Sequence, residues 1–317
     1  MLVPDMSEIN VLYAFDSRFW KLAATSMHSL LTTQATDTHI TIFCMVPPRT
    51  RGKRTIQKMI SETPGAGLVW RVVKKSENPF QSYDYSRWSP VIFYRLIAHR
   101  IFPNISKLLY LDSDTLVCGD LGPLYNTNIS QYAMGAVRDM APTENTDNPN
   151  GKYVRDFAAA HLGNGPYFNS GVLLLNLQNM AKNEQLLTNV KVNLKYPDQD
   201  ILNIALCNKI KSLPLKYNFA PGVKISTNFT GNDRRADTDY TILHFYTAKP
   251  YYYQYIPHDI YALFYKHCTA LGIYPDDFIN DEQKHLRRRR ISRRTVIPFV
   301  HISGPNLYLF GIKIATF

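Results

Sequence analysis

At 317 residues the chain has room for one large domain or two ordinary ones, and a composition of 45% hydrophobic, 13% aromatic and 19% charged residues is that of a globular protein. Disordered, collagenous and coiled-coil classes are excluded. The formal charge is +11, yet residues 283–317 carry eight Lys and Arg and no Asp or Glu, so the first 282 residues hold only +3. Concentration of the charge in one tail argues against a nucleic-acid partner, which calls for basic residues spread over a face of the folded body.

The apolar run Ile9–Phe15 reads as a buried strand that stops at Asp16. A helix follows, with Phe19, Leu22, Ala23, Met27, Leu30 and Leu31 at three- and four-residue spacing. Then come a strand at Ile40–Val46, a helix within Thr50–Glu62, a strand at Leu68–Val73, and a helix opened by Ser89 and Pro90 that runs to Arg100. Lys107–Leu111 is the next strand. The second half holds strands at Met134–Val137, Gly171–Leu177 and Tyr240–Phe245, and helices near Met180–Leu194 and Gln199–Cys207. Alternating strands and amphipathic helices predict an α/β fold around a largely parallel sheet, whose ligands bind beyond the carboxyl ends of its strands. Asp16 and the pair Asp112 and Asp114 fall at such ends.

Four cysteines, Cys44, Cys118, Cys207 and Cys268, lie far apart without CxxC or CxxH spacing. That argues against a zinc site and a disulfide framework, and a reducing compartment is expected. Residues Met1–Ile9 carry Asp5 and Glu8 and do not read as a secretory signal. Thr295–Phe317 is apolar and aromatic but is broken by Pro298, His301, Pro305, Asn306 and Lys313, which is too interrupted for a membrane span of about 20 residues. With Arg287–Arg290, Arg293 and Arg294 beside it, the segment 287–317 reads as a peripheral anchor for an anionic membrane surface. A solvated charge run followed by a strand or helix docked on the body is the alternative.

The strongest local chemistry is Lys107-Leu-Leu-Tyr-Leu-Asp-Ser-Asp114, an apolar strand that delivers two carboxylates at its end. Alternate residues of an extended chain share a face, so Asp112 and Asp114 suit a hard divalent cation with positions left for phosphate oxygens. An Asp-Ser-Asp turn whose side chains cap backbone groups fits the same residues. Three further segments bear on the choice: Tyr167-Phe-Asn-Ser-Gly-Val-Leu-Leu-Leu-Asn176, Pro197-Asp-Gln-Asp-Ile-Leu-Asn203 and Ile242-Leu-His-Phe-Tyr-Thr-Ala-Lys-Pro250. Singly, His244 fits a satisfied core histidine and Asp198 an N-cap.

Taken together and in this order, INVLYAFD, LYLDSDTLV, YFNSGVLLLNL, DQDILN and HFYTAKP resemble the blocks of glycosyltransferase family 8, over residues 9 to 250. That family comprises retaining enzymes and includes bacterial lipopolysaccharide glucosyl- and galactosyltransferases and the glycogenins. The resemblance implies a GT-A fold, placed at residues 8–265, and the composition of residues 266–317 reads as a helical and basic/apolar tail. It implies a UDP-sugar donor and Mn²⁺, with Mg²⁺ as the alternative ion, held by Asp112, Asp114 and His244.

By the same resemblance Ala14 and Asp16 meet the nucleotide, Phe19 lies against the base, and Arg95 and Ser113 touch the donor. Asn169, Ser170, Asp198 and Gln199 surround the transferred hexose, Lys249 holds the diphosphate, and Asp139 lies toward the acceptor. Gln199 is the residue nearest the anomeric carbon. Retaining glycosidases use a pair of carboxyl groups about 5–5.5 Å apart, and no such pair is evident. An amide is a poor nucleophile, so front-face attack with Gln199 stabilising positive charge is expected, while Asp198 or Asp200 as a transient nucleophile stays open.

The chain departs from the family pattern in three places. The segment from His244 to Tyr251 is one residue shorter than usual and lacks its Gly and Trp, Arg18 stands where Asn is common, and Ser170 stands where Ala is common. The last bears on hexose choice. The expected function is transfer of glucose or galactose from UDP to a growing, lipid-linked saccharide of a lipopolysaccharide core or other surface glycan. It would take place in the cytoplasm at the inner face of the membrane. A soluble or protein acceptor is the alternative within the family. A basic membrane- or nucleic-acid-binding module leaves the acidic pair, His244 and the Asp-Gln-Asp segment unused. An aspartate-nucleophile phosphatase needs Thr or Val where Leu116 stands, and Rossmann and Walker glycine patterns are absent.

Overall fold

The structure is a computed structural model. It describes residues 8–81, 83, 89–139, 149–192, 194–221, 240–247, 249–252 and 256–281, and the backbone of three strands between 300 and 316. Contacts divide the chain into two units, Met1–Ile273 and Tyr274–Phe317.

In the first unit β1 (Glu8–Ala14), α1 (Trp20–Thr33), β2 (His39–Val46), α2 (Lys53–Ser61) and β3 (Ala66–Val72) alternate as expected. A 3₁₀ helix at Pro90–Ile97 leads into α3 (Ala98–Ile101) and then β4 (Lys107–Leu111), β5 (Thr115–Val117), α4 (Gly122–Tyr125) and β6 (Met134–Arg138). Next are α5 (Pro149–His161), β7 (Phe168–Asn176), α6 (Leu177–Lys182), α7 (Glu184–Asn189), α8 (Pro197–Ala205), β8 (Ile210–Ser212), β9 (Ile242–His244) and α9 (His258–Thr269).

Seven strands form one sheet in the order β3-β2-β1-β4-β7-β6-β8. Four of the six pairings are parallel; β7 runs antiparallel to both β4 and β6. The parallel expectation therefore holds for the first half and for β6 with β8, and β7 makes the sheet mixed. Periodicity could not reveal this. Strands covered on both faces read as unbroken apolar runs whatever their direction, and Leu108–Leu111 of β4 and Val172–Leu175 of β7 are all fully buried. One face packs Leu12, Tyr110, Leu173 and Met134 against Phe93, Leu96 and Ile97 of the 3₁₀ segment and Ile201 and Leu202 of α8.

Two expected helices take other forms. The stretch at Met180–Leu194 is two short helices broken at Asn183, whose side-chain amide bonds back to the Asn179 carbonyl at 2.7 Å. The segment after Ser89 winds as a 3₁₀ helix in which Arg95 Nε donates to the Ile92 carbonyl at 3.1 Å.

A two-stranded ribbon crosses this framework and positions the site. β5 pairs antiparallel with β9, setting Thr115 opposite His244. Buried hydroxyls of α1 fasten the ribbon: Ser26 bonds both Tyr13 and Thr115, and Ser29 Oγ accepts from the Val117 N–H at 2.9 Å.

In the second unit β10 (Val300–Ser303), β11 (Asn306–Leu309) and β12 (Ile312–Thr316) form an antiparallel sheet, β10-β11-β12. The arginine run at 287–294 lies outside the described residues. The sequence-based boundary at 265 falls within α9, and the contact division falls after residue 273. Among the described residues no helix is long and apolar enough to cross a membrane.

Candidate active site

The carboxyl end of β4 carries the site. The Asp112 N–H donates to the Gly171 carbonyl on β7 at 2.8 Å, and the Phe245 N–H donates to the Asp114 carbonyl at 2.9 Å. Asp112, Asp114 and His244 are thereby brought together, with one ligand atom from each lying within 4.8 Å of the others. His244 Nε2 stands 3.4 Å from Asp114 Oδ1 and 3.6 Å from Asp112 Oδ2.

Two carboxylates converging on one imidazole nitrogen fit a divalent cation, since oxygen and imidazole donors accept the same ion. Two features of the site, an ionised Asp114 and a bare Gly171, support that reading, while Lys249 shares one of the carboxylates. Lys249 donates to Asp114 Oδ2. Burial alone would raise the Asp114 carboxyl, but the Lys249 ammonium and His244 hold it well below the usual carboxylate range. A Cβ placed on Gly171 would lie 2.0 Å from His244 Cε1, so the bare glycine is what lets the ring lie against β7.

Arg95 is the second organising charge and is itself buried. Its guanidinium donates to Asp112 Oδ1 at 2.7 Å and to the Ser170 carbonyl at 2.6 Å, and it stands 3.4 Å from Asp198 Oδ2. Tyr110 donates to the same Asp112 oxygen at 2.6 Å, leaving Oδ2 to face His244. Burial raises the Asp198 carboxyl; Arg95 opposes that shift and Asp112 adds to it.

A buried polar lattice lies beside this pair. The Ser170 N–H donates to Gln199 Oε1 at 2.9 Å and Ser170 Oγ bonds Asp198 Oδ2 at 3.1 Å. Gln199 Nε2 and Asn169 Nδ2 both donate to Asp139 Oδ2, at 3.0 and 3.2 Å. Asn169, Ser170, Asp198, Gln199 and Asp139, chosen from separate segments of the sequence, are thus joined in one network.

Asp200 stands apart from it. Its carboxylate accepts from Tyr153 at 2.7 Å, Tyr167 at 2.5 Å, and the N–H groups of Lys195 and Tyr196 at 3.0 and 2.9 Å. Four donors on a fully buried carboxylate make it an anchor that ties α8 to α5, to the residue before β7 and to the segment leading into α8.

At the end of β1, Ala14 is buried and Asp16 follows it. Asp16 accepts from the Arg18 N–H and guanidinium, both at 2.8 Å, and from Ser89 at 2.9 Å. Burial would raise its carboxyl, and Arg18 brings it below the ordinary value. The Arg18 guanidinium lies 5.7 Å from the Phe19 ring centroid. Ser113 is buried between Asp112 and Asp114.

Tyr110, Gly171 and Asn218 escaped the sequence reading. Tyr110 and Gly171 lie inside recognised segments but read as strand residues. Asn218 lies in none of them; the bridge between Phe219 and Leu243, with the neighbouring bond from the Thr241 N–H to the Lys216 carbonyl, carries it to His244, where its Oδ1 sits 2.8 Å from Nδ1.

The model of the glycosyl transferase family 8 matches residues 10–254. The chain belongs to glycosyltransferase family 8. Its expected range of 9 to 250 agrees with that match. A lipopolysaccharide 1,2-glucosyltransferase of Escherichia coli K12 is 27% identical over 228 residues, 68% of this chain and 65% of the relative. A putative glycosyltransferase of Haemophilus influenzae is 29% identical over 67% of this chain and 64% of its own. The family 8 chain therefore spans just under two thirds of these relatives. Among solved structures, an active-site mutant of LgtC superposes with TM-score 0.69 at 19% identity, covering 86% of this chain and all of that one. Galactosyltransferase LgtC with donor and acceptor sugar analogs gives 0.65 at 19% identity, over 86% and 100% of the two chains. The expected GT-A fold is thereby established.

Proposed function

We propose that this family 8 chain is a retaining hexosyltransferase that moves glucose or galactose from a UDP-sugar to a saccharide acceptor. The observation that carries the reading is the convergence of Asp112, Asp114 and His244, with Lys249 on Asp114, at the carboxyl end of β4. Mn²⁺, with Mg²⁺ as the alternative, would be held by those three residues and would supply Lewis-acid neutralisation of the diphosphate. Lys249 is placed to shift from Asp114 to the β-phosphate, where leaving UDP develops charge. Asp16 and Ala14 receive the nucleoside, and Arg18 must yield Asp16 for the base to take its place. Phe19 lies against that base and Ser113 touches the donor.

Arg95 holds both Asp112 and Asp198, which keeps the metal-facing and sugar-facing carboxylates in fixed relation. Gln199, tied at its oxygen to Ser170 and at its nitrogen to Asp139, is preorganised to present an amide dipole to the anomeric carbon as positive charge develops. This supports front-face departure and attack. Asp198 is the carboxylate left for a covalent alternative, because both oxygens of Asp200 are engaged by other donors. Asp139 lies toward the acceptor, and Asn169, which bonds it, belongs with the residues around the hexose.

A lipid-linked saccharide of the cell surface is the acceptor class the reading favours, and lipopolysaccharide glucosyltransferases among the relatives support it. Attachment at the inner membrane face through 287–317 belongs to the same reading, on the arginine run followed by an apolar and aromatic segment in the sequence.

The test is UDP release from UDP-glucose and UDP-galactose with Mn²⁺ or with EDTA, first with water as acceptor and then with short lipid-linked saccharides. Metal-dependent release is expected, lost in Asp114→Ala. No turnover and no calorimetric binding of UDP with Mn²⁺ would overturn the reading in favour of a binding module.

A further inference from the structure

His244 is held by a chain of buried amides whose orientations are all forced. The Gly171 backbone N–H donates to one terminal atom of Asn169 at 2.9 Å, so that atom is the oxygen, Oδ1. The other terminal atom of Asn169 is then the NH₂ group, consistent with its donation to Asp139 Oδ2 at 3.2 Å. Asn218 approaches the same Asn169 Oδ1 at 2.8 Å, and only an NH₂ group can make that contact. Its remaining atom, Oδ1, faces His244 Nδ1 at 2.8 Å and can only accept. The imidazole therefore carries its proton on Nδ1. Its Nε2 is the edge that faces the Asp112 and Asp114 carboxylates, where a cation would sit.

Those carboxylates would otherwise draw a proton to Nε2, where it would block a cation. Asn218 opposes this from the far side of the ring, buried to 2% exposure, with Gly171 beneath the ring and Tyr246 edge-on at 4.9 Å between centroids.

We propose that Asn218 is a positioning residue that fixes the Nδ1–H form of His244 and thereby keeps Nε2 available to the metal. The proposal rests on the metal reading above for its purpose, but the tautomer itself can be read without turnover. Outer hydrogen bonds of this kind are worth roughly 10- to 100-fold in metal affinity.

The experiment uses the full chain labelled with ¹⁵N-histidine, with long-range ¹H–¹⁵N spectra at about pH 8.5 without metal and with Cd²⁺, and His244 assigned by loss of its signals in His244→Gln. Mn²⁺ affinity is measured in parallel by electron paramagnetic resonance. The wild type is expected to show Nδ1 protonated in both states. Asn218→Leu is expected to move the proton to Nε2 and weaken Mn²⁺ about 10- to 100-fold. Asn218→Asp keeps the acceptor at Nδ1, although its second oxygen then meets Asn169 Oδ1, and should retain the Nδ1–H form with part of the affinity.

An Nε2–H wild type that still binds Mn²⁺ overturns the proposal and leaves the metal reading standing. Undiminished Mn²⁺ binding by a folded Asn218→Leu does the same. A wild type with Nδ1–H that binds no Mn²⁺ removes the metal reading, and the proposed purpose with it. Should Asn218→Leu fail to fold, the wild-type tautomer and Asn218→Asp still decide.

Discussion

The ammonium of Lys249 is hydrogen-bonded to Asp114, the carboxylate that faces His244 Nε2 from its other oxygen. One side chain thus neutralises a carboxylate proposed to hold the metal, and the same side chain is proposed to serve the diphosphate. Lys249→Met separates the two roles. Without the ammonium, Asp114 offers its full charge to a cation, so Mn²⁺ in the absence of nucleotide should bind severalfold more tightly. UDP, deprived of a phosphate partner, should bind about tenfold more weakly. Mn²⁺ titration by electron paramagnetic resonance and UDP calorimetry check both directions; weaker Mn²⁺ binding in the variant would contradict the competition.

Gly171 is required by closeness, since it keeps an ordinary backbone and no left-handed φ is involved. Gly171→Ala would drive a methyl into the His244 ring at 2.0 Å, and the ring is the more easily displaced partner because β7 is fixed on both sides. Metal-dependent UDP binding should fall at least tenfold, with a stability cost of about 1–3 kcal/mol and unchanged circular dichroism. Retained metal binding in the alanine variant would show that the ring has room the structure does not give it.

Much of the fold was legible because β1, β2 and β4 are buried runs flanked by clear helix starts, and the Asp112-Ser-Asp114 step falls at a strand end. What was not legible depends on pairing partners. Neither the direction of β7 nor the register that sets Thr115 opposite His244 leaves a periodic trace in sequence. The same holds for Asp200 against Asp198. Two residues apart at the start of one helix, they read alike, yet one meets Arg95 and Ser170 while the other is enclosed by Tyr153 and Tyr167.

That difference predicts a difference in consequence. Asp200→Ala removes the acceptor of two phenols and two backbone N–H groups in a fully buried place, so it should cost on the order of 3 kcal/mol of stability in urea unfolding. Gln199→Ala leaves Asp139 with Asn169 and should cost no more than about 1–2 kcal/mol. Its main effect should be on turnover, lowered about 100-fold with UDP affinity unchanged. Equal destabilisation by the two substitutions would contradict the separation of anchor from active-site amide.

The pair His28 and His267 joins α1 to α9 through a single hydrogen bond, Nδ1 to Nδ1 at 3.0 Å, with the rings edge to face at 5.2 Å. Such a bond needs at least one neutral ring. Burial first, then His28 and Lys266, push the His267 imidazole down to about 4, and burial and Lys266 lower His28 as well. The sign follows directly. Above about pH 6.5 both rings are neutral folded or unfolded, and the pair's contribution is complete. Between about pH 6.5 and pH 4 the unfolded chain takes up protons that the folded chain refuses, so stability falls as pH falls. Below about pH 4 His267 protonates in the folded state too and the loss levels off. Allowing for solvent near the rings, the pair should account for on the order of 1–3 kcal/mol of acid destabilisation. Urea unfolding at about pH 7.5, 6 and 4.5 should show this in the wild type and a smaller loss in His267→Leu, whose leucine cannot titrate. An equal loss in both would place the acid sensitivity elsewhere in the fold.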